Sequence, residues 1–173
     1  LKDINQIGAC RICLVEIEGA KSLQASCVYP VAEGLKVHTH SPAVMEARKA
    51  VLELLLSNHP MECLTCVRST NCELQNLAKQ FGIEEVRFKG ESISYDLDLS
   101  SPSIQRDANK CILCRRCVAV CNEVQKVGVI GLINRGFKTT VGPAFNHGIG
   151  EVNCTNCGQC INVCPVGALR ETD

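Results

Sequence analysis

Apolar and polar positions change period several times along the 173-residue chain, and each change marks an element. Leu14-Val15-Glu16-Ile17-Glu18 alternates and predicts a half-exposed strand, with Gly19-Ala20-Lys21 as its turn. Leu35-Lys36-Val37-His38-Thr39 alternates likewise. His38 and His40, two apart with no cysteine near them, read as side chains on that strand's solvent face. Ser41-Pro42 starts a helix, with Ser as cap and Pro at the first helical position. From Ala43 to Asn58 the residues Val44, Ala47, Val51, Leu54 and Leu55 fall on one stripe, which predicts a packed face; a partner-binding stripe is the alternative. Glu73 to Gln80 predicts a second, shorter helix that stops at Gly82.

Beyond it the pattern loosens. Glu91 to Ser103 is polar and turn-rich and reads as a connector after a boundary near Gly90, although Ile93, Tyr95, Leu97 and Leu99 could pair as an extended edge. From Ile104 a weak repeat emerges: strand, cysteine run, helix, strand, then the same again, so two halves should face each other. Val127 to Asn134 and Phe137 to Val141 predict a hairpin turning at Arg135-Gly136.

Eighteen basic and eighteen acidic side chains leave no net charge, so nothing draws the chain to nucleic acid or an acidic membrane. No apolar stretch approaches the roughly 18 residues of a membrane span, and no basic patch followed by an apolar run marks a secretion signal. Composition changes the picture at one residue type: there are 14 cysteines against four Phe, two Tyr and no Trp. Aromatic packing cannot build this interior, and something held by the cysteines must. Pieces of roughly 40, 50 and 80 residues are each near or below the size at which apolar packing alone suffices, so bound metal is expected to supply the deficit.

The cysteines form four groups with none left over: Cys10, Cys13, Cys27; Cys63, Cys66, Cys72; Cys111, Cys114, Cys117, Cys121; and Cys154, Cys157, Cys160, Cys164. Pairs separated by two intervening residues place thiolates around a common point, whereas disulfides need partners that face each other from a distance. The last two groups have the Cys-x2-Cys-x2-Cys-x3-Cys run of bacterial ferredoxins, and Pro165 follows the second. In such a run the fourth thiolate serves the other cluster. The spacing therefore assigns Cys111, Cys114, Cys117 and Cys164 to one 4Fe-4S cluster, and Cys154, Cys157, Cys160 and Cys121 to another. Zinc, in a redox-inert interaction module, is the competing metal, but it favours paired knuckles.

The second group is one thiolate short, and His59, four residues before Cys63, is the natural fourth ligand. A histidine favoured at a helix C-terminus by the dipole is the alternative reading. An imidazole in place of a thiolate would raise that cluster's potential, as in Rieske centres. Cys10, Cys13 and Cys27 resemble the last three ligands of a plant-type 2Fe-2S ferredoxin, Cys-x4-Cys-x2-Cys with a distant Cys. The abrupt start at Leu1 suggests that the first ligand lay upstream. Lys110, Arg115 and Arg116 flank the Cys111 run, where they could raise that cluster's potential, receive an acidic partner, or simply be solvated.

Gly8-Ala9-Cys10-Arg11-Ile12-Cys13, the His59-x3-Cys63-x2-Cys66-x5-Cys72 constellation and two ferredoxin runs, in that order, resemble the N-terminal electron-transfer region of FeFe-hydrogenases over essentially the whole chain. Leu54 to Pro60, Cys72-Glu73-Leu74-Gln75, Val127-Gly128-Val129, Asn134-Arg135-Gly136-Phe137 and Val141 to Asn146 carry the same resemblance, which is strongest to multisubunit, NAD(P)-linked, electron-bifurcating members. It implies an α+β chain in three parts: a truncated 2Fe-2S ferredoxin-like (β-grasp) segment at 1–40, a small helical 4Fe-4S domain with one His and three Cys ligands at 41–90, and a two-cluster, bacterial-ferredoxin-like domain at 91–173. The implied cofactors are three 4Fe-4S clusters and one 2Fe-2S cluster. Implied partners are a flavin-containing NAD(P)H-oxidising subunit, a small 2Fe-2S subunit, ferredoxin and a catalytic H-cluster domain.

The H-cluster cysteines of such a domain are not in this sequence, and all 14 present are assigned, so no residue is expected to be catalytic. Gly148-Ile149-Gly150 lacks the rest of a dinucleotide fingerprint, which leaves FMN and NAD(P) to partner subunits. His147 reads as a loop residue. The same relay in an NAD-linked formate dehydrogenase, or in the large iron-sulfur subunit of NADH dehydrogenase, is the alternative. Free thiolates fit a reducing cytoplasm.

Overall fold

The computed structural model describes residues 4–172. Strand β1 (Leu14–Ile17) lies between β2 (Gln24–Ala25) and β3 (Val37–His38), antiparallel to both. Its alternation buries Val15 and Ile17 and leaves Leu14 and Glu16 half-buried, as the period-two pattern predicts. Of the second predicted strand only Val37 and His38 pair. His38 and His40 are exposed, and His38 Nε2 lies 3.3 Å from Glu18 Oε1. Gly19 takes φ +84 in the turn after β1, a conformation that suits glycine.

Helix α1 (Pro42–Ser57) begins where the sequence places it, with the Ser41 hydroxyl accepting the Val44 N–H at 3.4 Å. Its buried face differs from the expected stripe. Val44, Leu52 and Leu56 are buried, whereas Leu54 is 55% exposed and Ala47, Val51 and Leu55 are only half-buried. The inward row advances in steps of four through Arg48, whose Nε donates to the Leu14 carbonyl at 2.9 Å. A charged residue within that row hides it from a hydropathy reading. Glu53 is also buried, its carboxylate oxygens 2.9 and 2.8 Å from Arg87 Nε. The Arg87 hydrogen bond holds the Glu53 carboxyl below its ordinary pKa against the effect of burial. Helix α2 (Glu73–Gln80) ends at Gly82, φ +60, where Ile83 N–H closes back on the Ala78 carbonyl at 2.9 Å.

The remainder carries the repeat. Strand β4 (Ile104–Arg106) pairs with β7 (Leu169–Glu171), and β5 (Gly131–Ile133) with β6 (Thr140–Gly142), all antiparallel. Between them lie the short helices α3 (Arg116–Ala119) and α4 (Gln159–Asn162). The hairpin turns through a 3-10 segment at Gly136–Lys138 and is shorter than predicted. In the connector the extended edge reduces to one bridge, Asp98 to Arg106, with Leu97 and Leu99 exposed. One apolar cluster runs from Leu52, Leu56 and Leu74 into Ile104, Ile130, Val141, Ile149, Val166 and Leu169, so the middle and C-terminal parts share a core.

Arg106 and Asp98 fasten the connector to this core. Arg106 Nε is 3.3 Å from Asp98 Oδ2, both side chains are under one-tenth exposed, and Arg106 also reaches the Val141 carbonyl and Asn146 Oδ1 at 3.1 Å. Burial alone would raise the Asp98 carboxyl. Hydrogen bonds from Ser100, the Ile149 N–H and Arg106 outweigh it and hold the pKa low. Such a carboxylate stabilises the fold above its unfolded pKa, and the contribution disappears as the pH falls through the lower folded value. Asp98→Asn is expected to cost about 3 kcal/mol at neutral pH, because it strands a buried guanidinium. In anoxic denaturant titrations the deficit should narrow below about pH 4, where unfolded-state carboxylates protonate. A variant as stable as the parent at pH 7 would refute this role.

Candidate metal centres

The two cysteine runs are folded alike. In Cys111 to Cys117 the residues flanking the middle thiol, Leu113 and Arg115, take φ +54 and +61; in Cys154 to Cys160 the corresponding Asn156 and Gly158 take +53 and +69. Left-handed residues around each middle cysteine curl the backbone so that successive N–H groups and thiols can face one concavity. The helix after each run then diverts the last thiol. Beyond α3 the chain widens into a π turn (Val120–Val124), with Gln125 N–H donating to the Val120 carbonyl at 3.0 Å, and such insertions re-aim side chains at functional sites.

One cavity is lined by Cys111, Cys114, Cys117 and Cys164. A second is lined by Cys121, Cys154, Cys157 and Cys160, with Val120, Ile130 and Ile149 as apolar walls. Each takes three thiols from one run and one from the other. Among the described residues, no three His, Cys, Asp or Glu side chains close on a point as a lone metal ion needs. None of the 14 thiols forms a disulfide.

Burial pushes the Cys111 and Cys160 thiols up to about 11, with the neighbouring Cys114 and Cys164, and Cys154 and Cys157, adding to it. Cys117 is raised further, first by burial and then by Cys111, Cys114, Cys164 and Cys160. Burial also raises Cys114, although the Arg116 N–H and guanidinium oppose it. Thiols crowded in this way are neutral near pH 7, and a bound cation is what makes the thiolate tenable. The donor set and its surroundings therefore fit iron and sulfide.

His59 is set by the end of α1, its backbone N–H on the Leu56 carbonyl at 3.1 Å. Its Nδ1 is closed off from solvent and meets no partner among the described residues. Burial, and then the Lys110 charge, lowers its pKa, against the opposing effects of Asp107 and the Lys110 backbone. A neutral ring offers the helix end no charge, but it can ligate a metal. Cys63 and Cys66 occupy successive turns, with Ser69 N–H on the Cys66 carbonyl at 2.8 Å, and Cys72 caps α2.

Sequence reading missed what these loops touch. A Cβ on Gly167 would lie 2.8 Å from Cys66 Sγ and 3.6 Å from Lys110 Cδ. Arg68 Nη2 donates to the Cys164 carbonyl at 3.1 Å, and Glu73 N–H to that of Pro165 at 3.3 Å. Arg116 is not simply solvated: it forms a two-pronged pair with Glu73, both contacts at 2.8 Å. Lys110 pairs with Asp107 at 3.2 Å. The signals were a glycine just past Cys164-Pro165 and an arginine inside the Cys66 to Cys72 loop.

Cys10, Cys13 and Cys27 line a third cavity, whose far wall includes Leu52, Leu74 and Cys114. Asn5 Nδ2 donates to the Cys114 carbonyl at 3.1 Å and fixes the approach. Burial tends to raise Cys13, but hydrogen bonds from Cys27 and Ser26 outweigh it, whereas burial and the Cys13 contact raise Cys27. Leu1, where the truncated site was expected to begin, lies outside the described residues. His147 is an exposed loop residue, 3.2 Å from Glu151.

Three family profiles match along the chain: a 2Fe-2S iron-sulfur cluster binding domain at 2–42, the NADH-ubiquinone oxidoreductase-G iron-sulfur binding region at 48–87, and the ferredoxin-like domain of NADH-quinone oxidoreductase subunit 3 at 101–170. The NADP-reducing hydrogenase subunit HndD of Solidesulfovibrio fructosivorans is 50% identical over 167 residues, 96% of this chain and 28% of that protein. An NADH-quinone oxidoreductase subunit of Rhizobium meliloti is 39% identical over 170 residues, 97% of this chain and 20% of that protein. The chain thus spans about a quarter of the length of these curated relatives. A crystal structure of an NAD+-reducing [NiFe]-hydrogenase in the H2-reduced state superposes with a TM-score of 0.89 at 30% identity, covering 98% of this chain and 72% of that one. The chain belongs to the iron-sulfur family shared by the NADH-quinone oxidoreductase G proteins and the NADP-reducing hydrogenase subunit.

Proposed function

We propose that this chain is the electron-relay segment of an NAD(P)-linked FeFe-hydrogenase of the electron-bifurcating type, working in the cytoplasm. Carrying this reading is the sorting of eight thiols, all but the exposed Cys157 buried or half-buried, into two cavities, each drawing on both ferredoxin runs. The 50% identity to a subunit named for NADP reduction and hydrogenase activity favours hydrogenase as the setting. A relay in an NADH-quinone oxidoreductase is the second reading, favoured by the Rhizobium relative. In either setting the chain works as part of an oxidoreductase, and no helix among the described residues is long and apolar enough to cross a membrane.

The proposed ligands are Cys111, Cys114, Cys117 and Cys164 for one 4Fe-4S cluster, Cys121, Cys154, Cys157 and Cys160 for the second, and His59, Cys63, Cys66 and Cys72 for the third. Cys10, Cys13 and Cys27 supply three ligands to a 2Fe-2S cluster in a β-grasp segment. The proposed division is 1–40, 41–90 and 91–173; the second boundary falls between the second and third matched stretches. A bound cluster supplies reversible uptake of one electron. The chain's part is to hold the sulfurs, exclude water and set the contacts between sites. Cys114 faces both its own cavity and that of Cys10, Cys13 and Cys27, and Cys66 Sγ packs on Gly167, close in sequence to Cys164. The Cys111 centre is therefore where the two N-terminal sites converge; from the resemblance to FeFe-hydrogenases, the centre of Cys121, Cys154, Cys157 and Cys160 is expected to lie nearest the catalytic H-cluster domain. A flavin subunit that oxidises NAD(P)H, a small 2Fe-2S subunit and ferredoxin are the proposed electron partners.

Cys164→Ser should perturb the electron paramagnetic resonance signal that Cys111→Ser perturbs, and not the signal sensitive to Cys154→Ser; the opposite pairing would overturn the crossed ligation. Removing iron with chelator and oxidant should abolish the cooperative melt, because the vacated cavities lose the group that holds their thiols together; an apo-chain that still melts cooperatively would count against metal as the core. Gly167→Ala drives a methyl into Cys66 Sγ and should cost about 1–2 kcal/mol. It should also weaken the magnetic interaction between the two reduced clusters. Unchanged coupling would remove Gly167 from the contact.

A further inference from the structure

We infer that Arg115 raises the reduction potential of the centre held by Cys111, Cys114, Cys117 and Cys164, by donating a hydrogen bond from its buried guanidinium Nε to sulfur in that cavity. The inference rests on the ligand reading above and adds a residue that tunes the site.

Three observations converge on this side chain. The first is its backbone: Arg115 caps α3 at φ +61, ψ 12, and its counterpart in the second run is Gly158 at φ +69, ψ −4. Glycine enters that region freely, whereas a residue with a β-carbon is disfavoured there by roughly 1 kcal/mol. A strained backbone kept at a site points to a use for its side chain. The second is placement. Arg115 lines the cavity of the four thiols, and its Nε is closed off from solvent with no hydrogen-bond partner among the described residues. A buried guanidinium N–H left unpaired is costly, and thiolate or sulfide sulfur in that cavity would accept it. The third is charge. Lys110 is paired with Asp107, Arg116 with Glu73 and Arg106 with Asp98, whereas Arg115 meets no carboxylate among the described residues.

Accepting one electron makes a cluster and its four thiolates more negative by one charge. The electron comes from a neighbouring reduced centre, which is oxidised by the same amount, and no proton need move. Hydrogen bonds to sulfur and nearby positive charge both favour the more negative form. Gly158, having no side chain, offers the second cavity neither a charge nor a side-chain donor. The two centres, alike in ligand type, are thereby set apart in potential, with the Cys111 centre the readier acceptor where the N-terminal sites converge.

The test is an anoxic, potential-controlled electron paramagnetic resonance titration of the full, cluster-loaded chain, the Cys111 signal first being identified by Cys111→Ser and Cys164→Ser. Arg115→Gln and Arg115→Gly are expected to lower the equilibrium constant for reducing that cluster about tenfold, a fall of about 59 mV for one electron. The signal of the second run should stay in place. Arg115→Lys, which keeps charge but lacks the Nε donor, should give a smaller fall. Arg115→Gly suits the left-handed backbone, so it keeps the question answerable if the Gln variant fails to load. An unmoved midpoint in the Gly variant, an equal fall in both clusters, or loss of the cluster from the Gly variant would overturn the inference. If Cys111→Ser and Cys164→Ser perturb different signals, the ligand reading falls and takes the inference with it. If they agree and Arg115→Gly leaves the midpoint in place, the inference alone falls.

Discussion

Four thiols gathered in one apolar cavity oppose folding unless something inside the cavity holds them. Burial drives Cys111 and Cys160 to about 11, and each thiolate would repel the next. Iron and sulfide reverse the balance, because a cation stabilises the thiolate that burial disfavours. Since each cavity also takes one thiol from the opposite run, closing either one joins both halves of the repeat. The strands that accompany this closure are three residues long in β4, β5, β6 and β7, too little hydrogen bonding to define a sheet alone.

The same constraint explains how tightly the middle part is seated on the ferredoxin-like part. Cys66 meets Gly167, Arg68 meets the Cys164 carbonyl, and Glu73 holds both Arg116 and the Pro165 carbonyl. Each contact lies within a few residues of a thiol. Leu52, Leu56 and Leu74 continue the apolar cluster behind them, so packing and polar contacts fix the same spacing from two sides. A relay needs such fixed spacing more than it needs an exposed cleft.

How much of this was legible in sequence follows from range. Cysteine spacing is covalent, and a helix cap is a matter of three residues, so the four groups, the Ser41 start of α1 and both ends of α2 can be read directly. The inward face of α1 could not, because the row through Val44, Leu52 and Leu56 includes Arg48, whose charge is satisfied by a carbonyl distant in sequence. Leu54 looked like core because no local rule identifies the element that will cover it. The close approach at Gly167, the Arg116 to Glu73 pair and the buried Asp98 to Arg106 pair all join residues separated by anything from eight to about a hundred positions. Only the folded chain brings them together.

Relatives carrying this region are named for different reactions, NADP-reducing hydrogenase and NADH-quinone oxidoreductase among them. Its own chemistry shows why that is possible. The two four-thiol cavities and the contacts between them are built by residues inside the chain, and neither depends on which reaction supplies or consumes the electron. What can vary without breaking the cavities is the environment of each sulfur. The paired loops show this within one molecule: the backbone curls alike at Arg115 and Gly158, yet only one of those positions carries a side chain. Selection on potential can therefore act on residues between the cysteines while the cysteines, the crossed halves and the shared core stay fixed.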